Sequence, residues 1–259
     1  MRRIKRTIFA MSAAFMAMQG AFAANPGSEG SEGGFRLEYE VNAGTNIGGA
    51  SPMPLPVEIR KINSYNPELN LQIGGTVRHW FAGTEKWGAA VGVRLETKGM
   101  KTGATVKNYG MEIIDNGKTL KGRWTGKVTT RYHSQQLVVP LTACYRPSRK
   151  ITLNFGPYLS YAFSNEFDGY VSEGYLREGD PTGDKISFSG DSRASYDFSE
   201  ELRKFQWGLQ LGGSWNVYKR LSLNANLTWG LNGVFNSSFK TISFKLYPVY
   251  LNLGFGYRF

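Results

Sequence analysis

From Tyr247 to the terminal phenylalanine the chain alternates at every step: Val249, Leu251, Leu253, Phe255, Tyr257 and Phe259 fall on one side, and Asn252, Gly254, Gly256 and Arg258 on the other. Successive side chains of a strand point to opposite faces, so this is a strand with one greasy and one polar or small face. The same alternation recurs eight times, at about 35–46, 69–81, 87–99, 136–146, 151–164, 204–218, 221–233 and 243–259, always with the odd-numbered residues apolar. The clearest case sets Leu221, Leu223, Ala225, Leu227 and Trp229 against Ser222, Asn224, Asn226 and Thr228. Each segment reaches the roughly 9–11 residues with which a tilted strand crosses a bilayer.

The connections alternate as well. Short ones fall at 82–86, 147–150 and 219–220, long ones at 47–68, 100–135, 165–203 and 234–242. Short turns on one side and long loops on the other are the habit of bacterial outer-membrane barrels, with the long loops outside the cell. The expectation is an all-β fold, an eight-stranded antiparallel up-and-down transmembrane β-barrel with long extracellular loops. An even strand count leaves both ends of the mature chain in the periplasm.

A soluble eight-stranded barrel would turn its apolar side chains inward. The charges decide against that. Arg36, Glu38, Glu40 and Asn42 share the polar face of the first segment, Gln72 and Arg78 that of the second, and Arg94, Glu96 and Lys98 that of the third. A midplane Arg or Lys facing lipid costs about 2–4 kcal/mol. Turned inward, Arg36, Glu38, Glu40, Arg94, Glu96 and Lys98 are expected to form a polar network in a lumen with room only for side chains, and the expectation is a plugged barrel rather than an open aqueous pore. Aromatic residues should gather where strands meet the headgroups. Trp87, Tyr145, Trp215, Tyr257 and Phe259 are expected at one rim, and Tyr161, Phe163, Phe205, Trp207 and Trp229 at the other.

The N-terminus supplies a route to that membrane. Arg2, Arg3, Lys5 and Arg6 precede an apolar run that ends at Ala21-Phe22-Ala23, so residues 1–23 read as a secretory signal peptide and 24–259 as the barrel domain. Removing the signal lowers the formal charge from +11 to +7. An exported chain does not meet nucleic acid, and the remaining cations cluster in one loop. Cys144 is the one cysteine, on an inward position, where it is read as a small buried filler.

The loops have opposite charge. Residues 101–135 hold seven Lys or Arg against Glu112 and Asp115, and residues 165–203 hold ten acids against four cations. The two are expected to lean together as a shared cap, either a binding surface for a partner or glycan or a self-satisfied lid. Lys118, Lys121 and Arg123 on the basic side, with Asp180 and Asp184 on the acidic side, are the candidate binding residues. The Asp115-Asn116-Gly117-Lys118 turn predicts that the flanking strands continue as a ribbon above the bilayer. The segment 178–184 reads as a simple turn or as a cation site without EF-hand spacing. The proline-stiffened segment 51–60 is expected to fold over the barrel mouth, with a short helix before Asn66.

Catalysis would need a base beside a nucleophile, and the histidines are His79 and His133. His133 precedes Ser134 directly, so strand geometry would turn the two apart. Neither a phosphate-binding glycine loop nor a Cys/His metal cluster occurs. The expectation is a non-enzymatic protein without cofactor or metal. A lipid-modifying or small-solute-handling barrel is the alternative.

Residues 54–67 (PLPVEIRKINSYNP), 92–101 (GVRLETKGMK), 174–183 (GYLREGDPTG) and 247–259 together give the chain its family likeness. It resembles the PorT-like outer-membrane β-barrel proteins of Bacteroides-type Gram-negative bacteria. The resemblance implies an integral outer-membrane barrel, one namesake being linked to secretion across that membrane and to gliding machinery. Expected partners are outer-membrane lipid and lipopolysaccharide and an envelope or secretion-system protein. A monomer is expected.

Overall fold

A computed structural model describes residues 36–84, 86–115 and 117–259; the side chain of Arg36, the segment read as a signal peptide and Asn116 of the predicted turn lie outside the described residues. The strands are β1 (Arg36–Pro52), β2 (Ile59–Pro67), β3 (Leu71–Trp80), β4 (Trp87–Asp115), β5 (Lys118–Ser148), β6 (Ile151–Glu178), β7 (Lys185–Asp197), β8 (Phe205–Tyr218), β9 (Leu221–Gly230) and β10 (Leu246–Arg258). Eight of them form a closed antiparallel ring, β1-β3-β4-β5-β6-β8-β9-β10, each paired with its neighbours and β10 paired back onto β1. These are the eight segments that the alternation marks. No sheet edge is left open in the ring.

Within the ring the alternation holds. Leu221, Leu223, Leu227 and Trp229 are exposed on the outside, and Ser222, Asn224, Asn226 and Thr228 are buried inside. The expected aromatic belts stand on the outer surface. Trp87 packs on Tyr145 at 4.6 Å and Tyr257 on Phe259 at 5.2 Å near the short turns, while Tyr161, Phe163, Phe205, Trp207 and Trp229 ring the other end. Cys144 is buried inside, as read from its position.

Beyond the ring the architecture departs from the alternation. β4, β5 and β6 run on past it and β7 pairs with β6, then touches β4 through Ile114 and Ser195, so these four strands curl into a second, smaller enclosure. Its interior is apolar: Met111, Ile113, Trp124, Val128, Phe167, Val171, Leu176, Phe188 and Tyr196 share one core. Three bulges turn apolar residues inward there. On β4 the register slips between Val106 and Tyr109, where Asn108 adopts φ 56°, so odd-numbered Met111 and Ile113 point in. On β6 the pairing moves from Gln136 with Ala162 to Gln135 with Ser164, and Phe167 and Val171 become the inward residues. A further slip at Glu173, φ 48°, restores even parity and buries Leu176. An extra residue in one strand flips every side chain after it.

Two expectations are corrected here. Residues 59–67 form no helix: they are strand β2, paired to β4 from Ile59 with Val106 to Pro67 with Met100. Ile62, Tyr65 and the β-branched company of Val57 and Ile59 favour an extended backbone over a helix. Nor does the first loop cover the mouth. The segment 231–245 does so, burying Val234, Phe235 and Ile242 in the upper core. It reaches across the mouth, with Phe244 against Tyr109 at 5.7 Å and Ser243 donating to Glu58 at 3.4 Å. Its phenylalanines supply apolar surface to the upper enclosure, whereas Leu55 and Val57 of the first loop stay exposed.

Candidate functional site

The lumen is filled by side chains from all sides of the ring. At the short-turn end Glu38 accepts from Trp80 Nε1 at 3.2 Å and Arg146 at 2.8 Å, and pairs with Arg78. Glu40 accepts from Asn224 at 2.8 Å and from Arg258 Nε at 3.0 Å, and Arg258 also donates to Ser214 at 2.7 Å. Arg146 lies 3.7 Å from the Trp80 ring centroid, a stacked cation–π arrangement. Two carboxylates thus face three guanidinium groups.

Further along the lumen Glu96 lies between two cations, 2.8 Å from Arg94 Nε and 3.3 Å from Lys98 Nζ. The Lys98 ammonium sits 5.5 Å from the Tyr158 ring and 5.4 Å from that of Tyr250. Arg94 donates to Gln210 at 2.9 Å. A chain of amides crosses the same level, from Gln72 to Asn252 at 2.7 Å, from Asn252 to Asn46 at 2.7 Å, and from Asn46 to the Thr97 carbonyl at 3.1 Å. The lumen cavity left between these groups is about 50 Å³. That volume admits a few waters and no solute of metabolite size.

The structure therefore brings Glu38, Glu40, Arg94, Glu96 and Lys98 into one lumen, as the parity of their strands predicts. Arg146 and Trp80 belong to it and were not singled out. Both are even-numbered on their strands, which is the signal that would have found them.

The loop candidates gather at the far tip of the upper enclosure. Lys118 closes the β4–β5 turn opposite Asp115, and Lys121 is exposed, 3.9 Å from Glu112. Arg123 is half-buried opposite Arg177. The Gly179 N–H donates to the Lys121 carbonyl at 2.9 Å, so the turn 178–184 lies beside this tip. Asp180 accepts from both the N–H and the hydroxyl of Thr182 at 2.7 Å, and Thr182 holds its carboxyl below the usual aspartate range. Asp184 accepts from the Glu178 N–H through its backbone carbonyl at 3.0 Å. Asp180 is thus spent on shaping the turn. No three His, Cys, Asp or Glu residues converge for a metal ion among the described residues.

The basic and acidic segments do lie together, by backbone pairing of β5 with β6 and by the apolar core beneath. Two ion pairs cross between them on the outer surface, Lys127 with Glu173 and Arg131 with Asp168, each at 2.6 Å. Such exposed pairs add about 0–1 kcal/mol each, so the ladder and the core hold the cap. His133 faces outward, 3.7 Å from Glu68, while the buried Ser134 donates to Asn165 at 2.6 Å. Base and hydroxyl point apart.

One surface combines exposure with apolar character outside the aromatic belts. Beyond the end of β1, Leu55 and Val57 are 59% and 78% exposed, and Ile62 on β2 is 56% exposed. The segment is nonetheless held in place: the Lys107 N–H donates to the Glu58 carbonyl at 2.8 Å and Tyr65 Oη to the Gly48 carbonyl at 2.8 Å.

A family model for the outer membrane protein beta-barrel domain matches residues 24–236. No curated protein matches the chain. Among solved structures the chain is similar to Ail, the attachment invasion locus protein of Yersinia pestis, crystallised with the heparin analogue sucrose octasulfate: identity is 11%, coverage 86% of this chain and 99% of that chain, and the TM-score 0.39. Similar too are a major outer membrane protein from Thermus thermophilus, at 17% identity, 86% and 99% coverage and a TM-score of 0.38, and OprG from Pseudomonas aeruginosa, at 16%, 87% and 97%, and 0.35.

Proposed function

Because the chain belongs to the family of outer membrane protein β-barrel domains, we propose that it serves as a sealed membrane anchor for a rigid platform outside the cell, which docks a protein partner of the envelope through the segment that joins β1 to β2. The observation that carries this reading is the exposed apolar run Leu55, Val57 and Ile62 on a segment fixed to the platform by backbone hydrogen bonds. Exposed large apolar side chains on an ordered surface are a mark of interaction sites. Glu58, Arg60 and Lys61 interleave with them, which suits an aqueous protein surface better than lipid.

The likeness to PorT-like proteins makes an envelope or secretion assembly the kind of partner to seek. On this reading residues 1–23 direct export, both mature ends lie in the periplasm and the monomer needs no cofactor. The protein does no chemistry, in keeping with the opposed directions of His133 and Ser134. Lys118, Lys121, Arg123, Asp180 and Asp184, at the tip, form the polar rim of the same platform. Outer-membrane lipid and lipopolysaccharide surround the belts.

The test is a photo-crosslinking amino acid placed at Val57 in intact cells. A discrete adduct that disappears when Leu55 and Ile62 are both changed to Asp supports the reading. Adducts identical to those formed from a probe at Lys185, the first residue of β7, contradict it.

A further inference from the structure

A second concavity lies just above the aromatic belt, on the barrel flank formed by β8, β9 and β10. Its root is tied to belt residues. The Leu231 N–H donates to the Trp207 carbonyl at 2.9 Å, Asn232 Nδ2 donates to the Phe205 carbonyl at 3.0 Å, and the Trp207 N–H donates to Asn232 Oδ1 at 2.9 Å. On β10, Val249 pairs with outward-facing Trp229, so Tyr247, two residues away, stands on the same outward face. The chain then curls around a cavity of about 590 Å³ whose wall includes Leu231, Phe239, Phe244 and Tyr247 together with Lys240 and Lys245.

Three features give this cavity a chemical preference. No carboxylate lines it among the described residues. Lys240 and Lys245 are exposed, and neither has an ion-pair partner among the described residues. Arg203 holds the loop open from below, with its guanidinium bonded to the Gly233 carbonyl at 3.3 Å, the Phe235 carbonyl at 3.2 Å and Ser237 Oγ at 3.1 Å. Aromatic and aliphatic side chains at headgroup depth, with uncompensated ammonium groups above them, fit an amphiphile with an anionic head. Lys240 also borders a neighbouring cavity that carries Glu200 and Glu201, so Lys245 is the principal cation.

We infer that this cavity seats the phosphate-bearing headgroup of a lipid from the surrounding leaflet, with the phosphate against Lys245 and Lys240 and the first acyl carbons against Leu231 and Tyr247. A zwitterionic headgroup would bring its own cation against the lysines, so a phosphate monoester is preferred. The inference rests on the membrane reading above, though not on the proposed docking segment, which lies elsewhere on the rim.

The test uses the full chain in detergent and native mass spectrometry, with dioleoyl phosphatidic acid, dioleoyl phosphatidylcholine and inorganic phosphate as separate probes. One retained copy of phosphatidic acid, held in preference to phosphatidylcholine and not displaced by inorganic phosphate, is expected. Lys245→Ala and Lys240→Ala should each weaken retention, about fivefold for Lys245. Gly233→Phe should also weaken retention by filling the cavity beside Lys245, since a Cβ there lies 3.5 Å from the Leu246 carbonyl and 3.8 Å from Lys245 Cβ. The heat-dependent electrophoretic shift of a folded barrel verifies each variant. Equal retention of phosphatidic acid by wild type and all variants would overturn the assignment, and so would displacement by inorganic phosphate, which would make it a plain anion site. Loss of the crosslink at Val57 with lipid retention intact would count against the docking reading alone.

Discussion

Arg258, one residue from the C-terminus, is the register partner of Glu40 and donates to its carboxylate from Nε at 3.0 Å, so a buried ion pair seals the seam between the last strand and the first. Both side chains are largely removed from solvent. Removing one partner of such a pair strands the other charge, at a cost of about 3–5 kcal/mol. Arg258→Ala and Glu40→Ala should each lower the free energy of barrel unfolding in lipid, followed in urea, by an amount in that range. The double variant should cost less than the sum of the two, and strict additivity would deny the coupling.

The seam is also where the sequence is easiest to read. Only one face of each ring strand touches lipid, so alternation from Val249 to Phe259 and from Leu221 to Trp229 reports the environment directly. That clarity ends where both faces lose the lipid. Past Met100 the outside of the wall is watery and the inside is dry, so apolar residues must point inward, and the bulges at Asn108, beside Phe163 and at Glu173 carry out the change. A single inserted residue has no compositional signature, which is why Met111, Ile113 and Phe167 cannot be assigned a face from their numbering. β2 is hidden for a related reason: an edge strand exposed to water, as 59–67 is, lacks an apolar stripe. The mouth cover at 231–245 depends on Phe235, Phe239 and Phe244 meeting a core assembled from distant strands.

Glu96 and Lys98 predict an asymmetry. Glu96 neutralises one of two flanking cations, and Lys98 is the surplus charge, eased by the faces of Tyr158 and Tyr250. Glu96→Gln should destabilise the barrel by about 3–5 kcal/mol, because two buried cations then face each other. Lys98→Met, which leaves the Arg94–Glu96 pair neutral, should cost less. Unfolding in urea distinguishes them, and equal costs would contradict the arrangement.

Trp124 is fully buried in the upper core and packs edge-on against Phe188 at 5.5 Å. Trp124→Ala should cost about 3–5 kcal/mol, concentrated in the platform. Limited proteolysis should then cut within 101–135 and 165–203 while the membrane ring keeps its heat-dependent electrophoretic shift. Protection equal to wild type would mean that this core does not hold the platform.

The turn at Asp180 predicts a local pH response. The two Thr182 bonds depress the folded carboxyl relative to the unfolded one, so the turn is favoured above the ordinary aspartate range and this preference is lost as pH falls through the depressed value. Thr182→Val removes the hydroxyl donor and should move the Asp180 titration, followed by carboxyl NMR, to higher pH. An unmoved titration would remove the hydroxyl from the account.

The central claim is that apolar side chains face lipid around a closed ring whose interior is polar below and dry above. Tryptophans sit on both sides of that wall. Trp87, Trp207, Trp215 and Trp229 are about half exposed on the outer surface, while Trp80 and Trp124 are enclosed. Quenching of tryptophan fluorescence by brominated acyl chains in reconstituted protein tests the claim most directly. A variant that keeps the four outer tryptophans, with Trp80 and Trp124 changed to Phe, should be strongly quenched, and one that keeps only Trp80 and Trp124 should be nearly untouched. The reverse pattern, or equal quenching of the two, would contradict it.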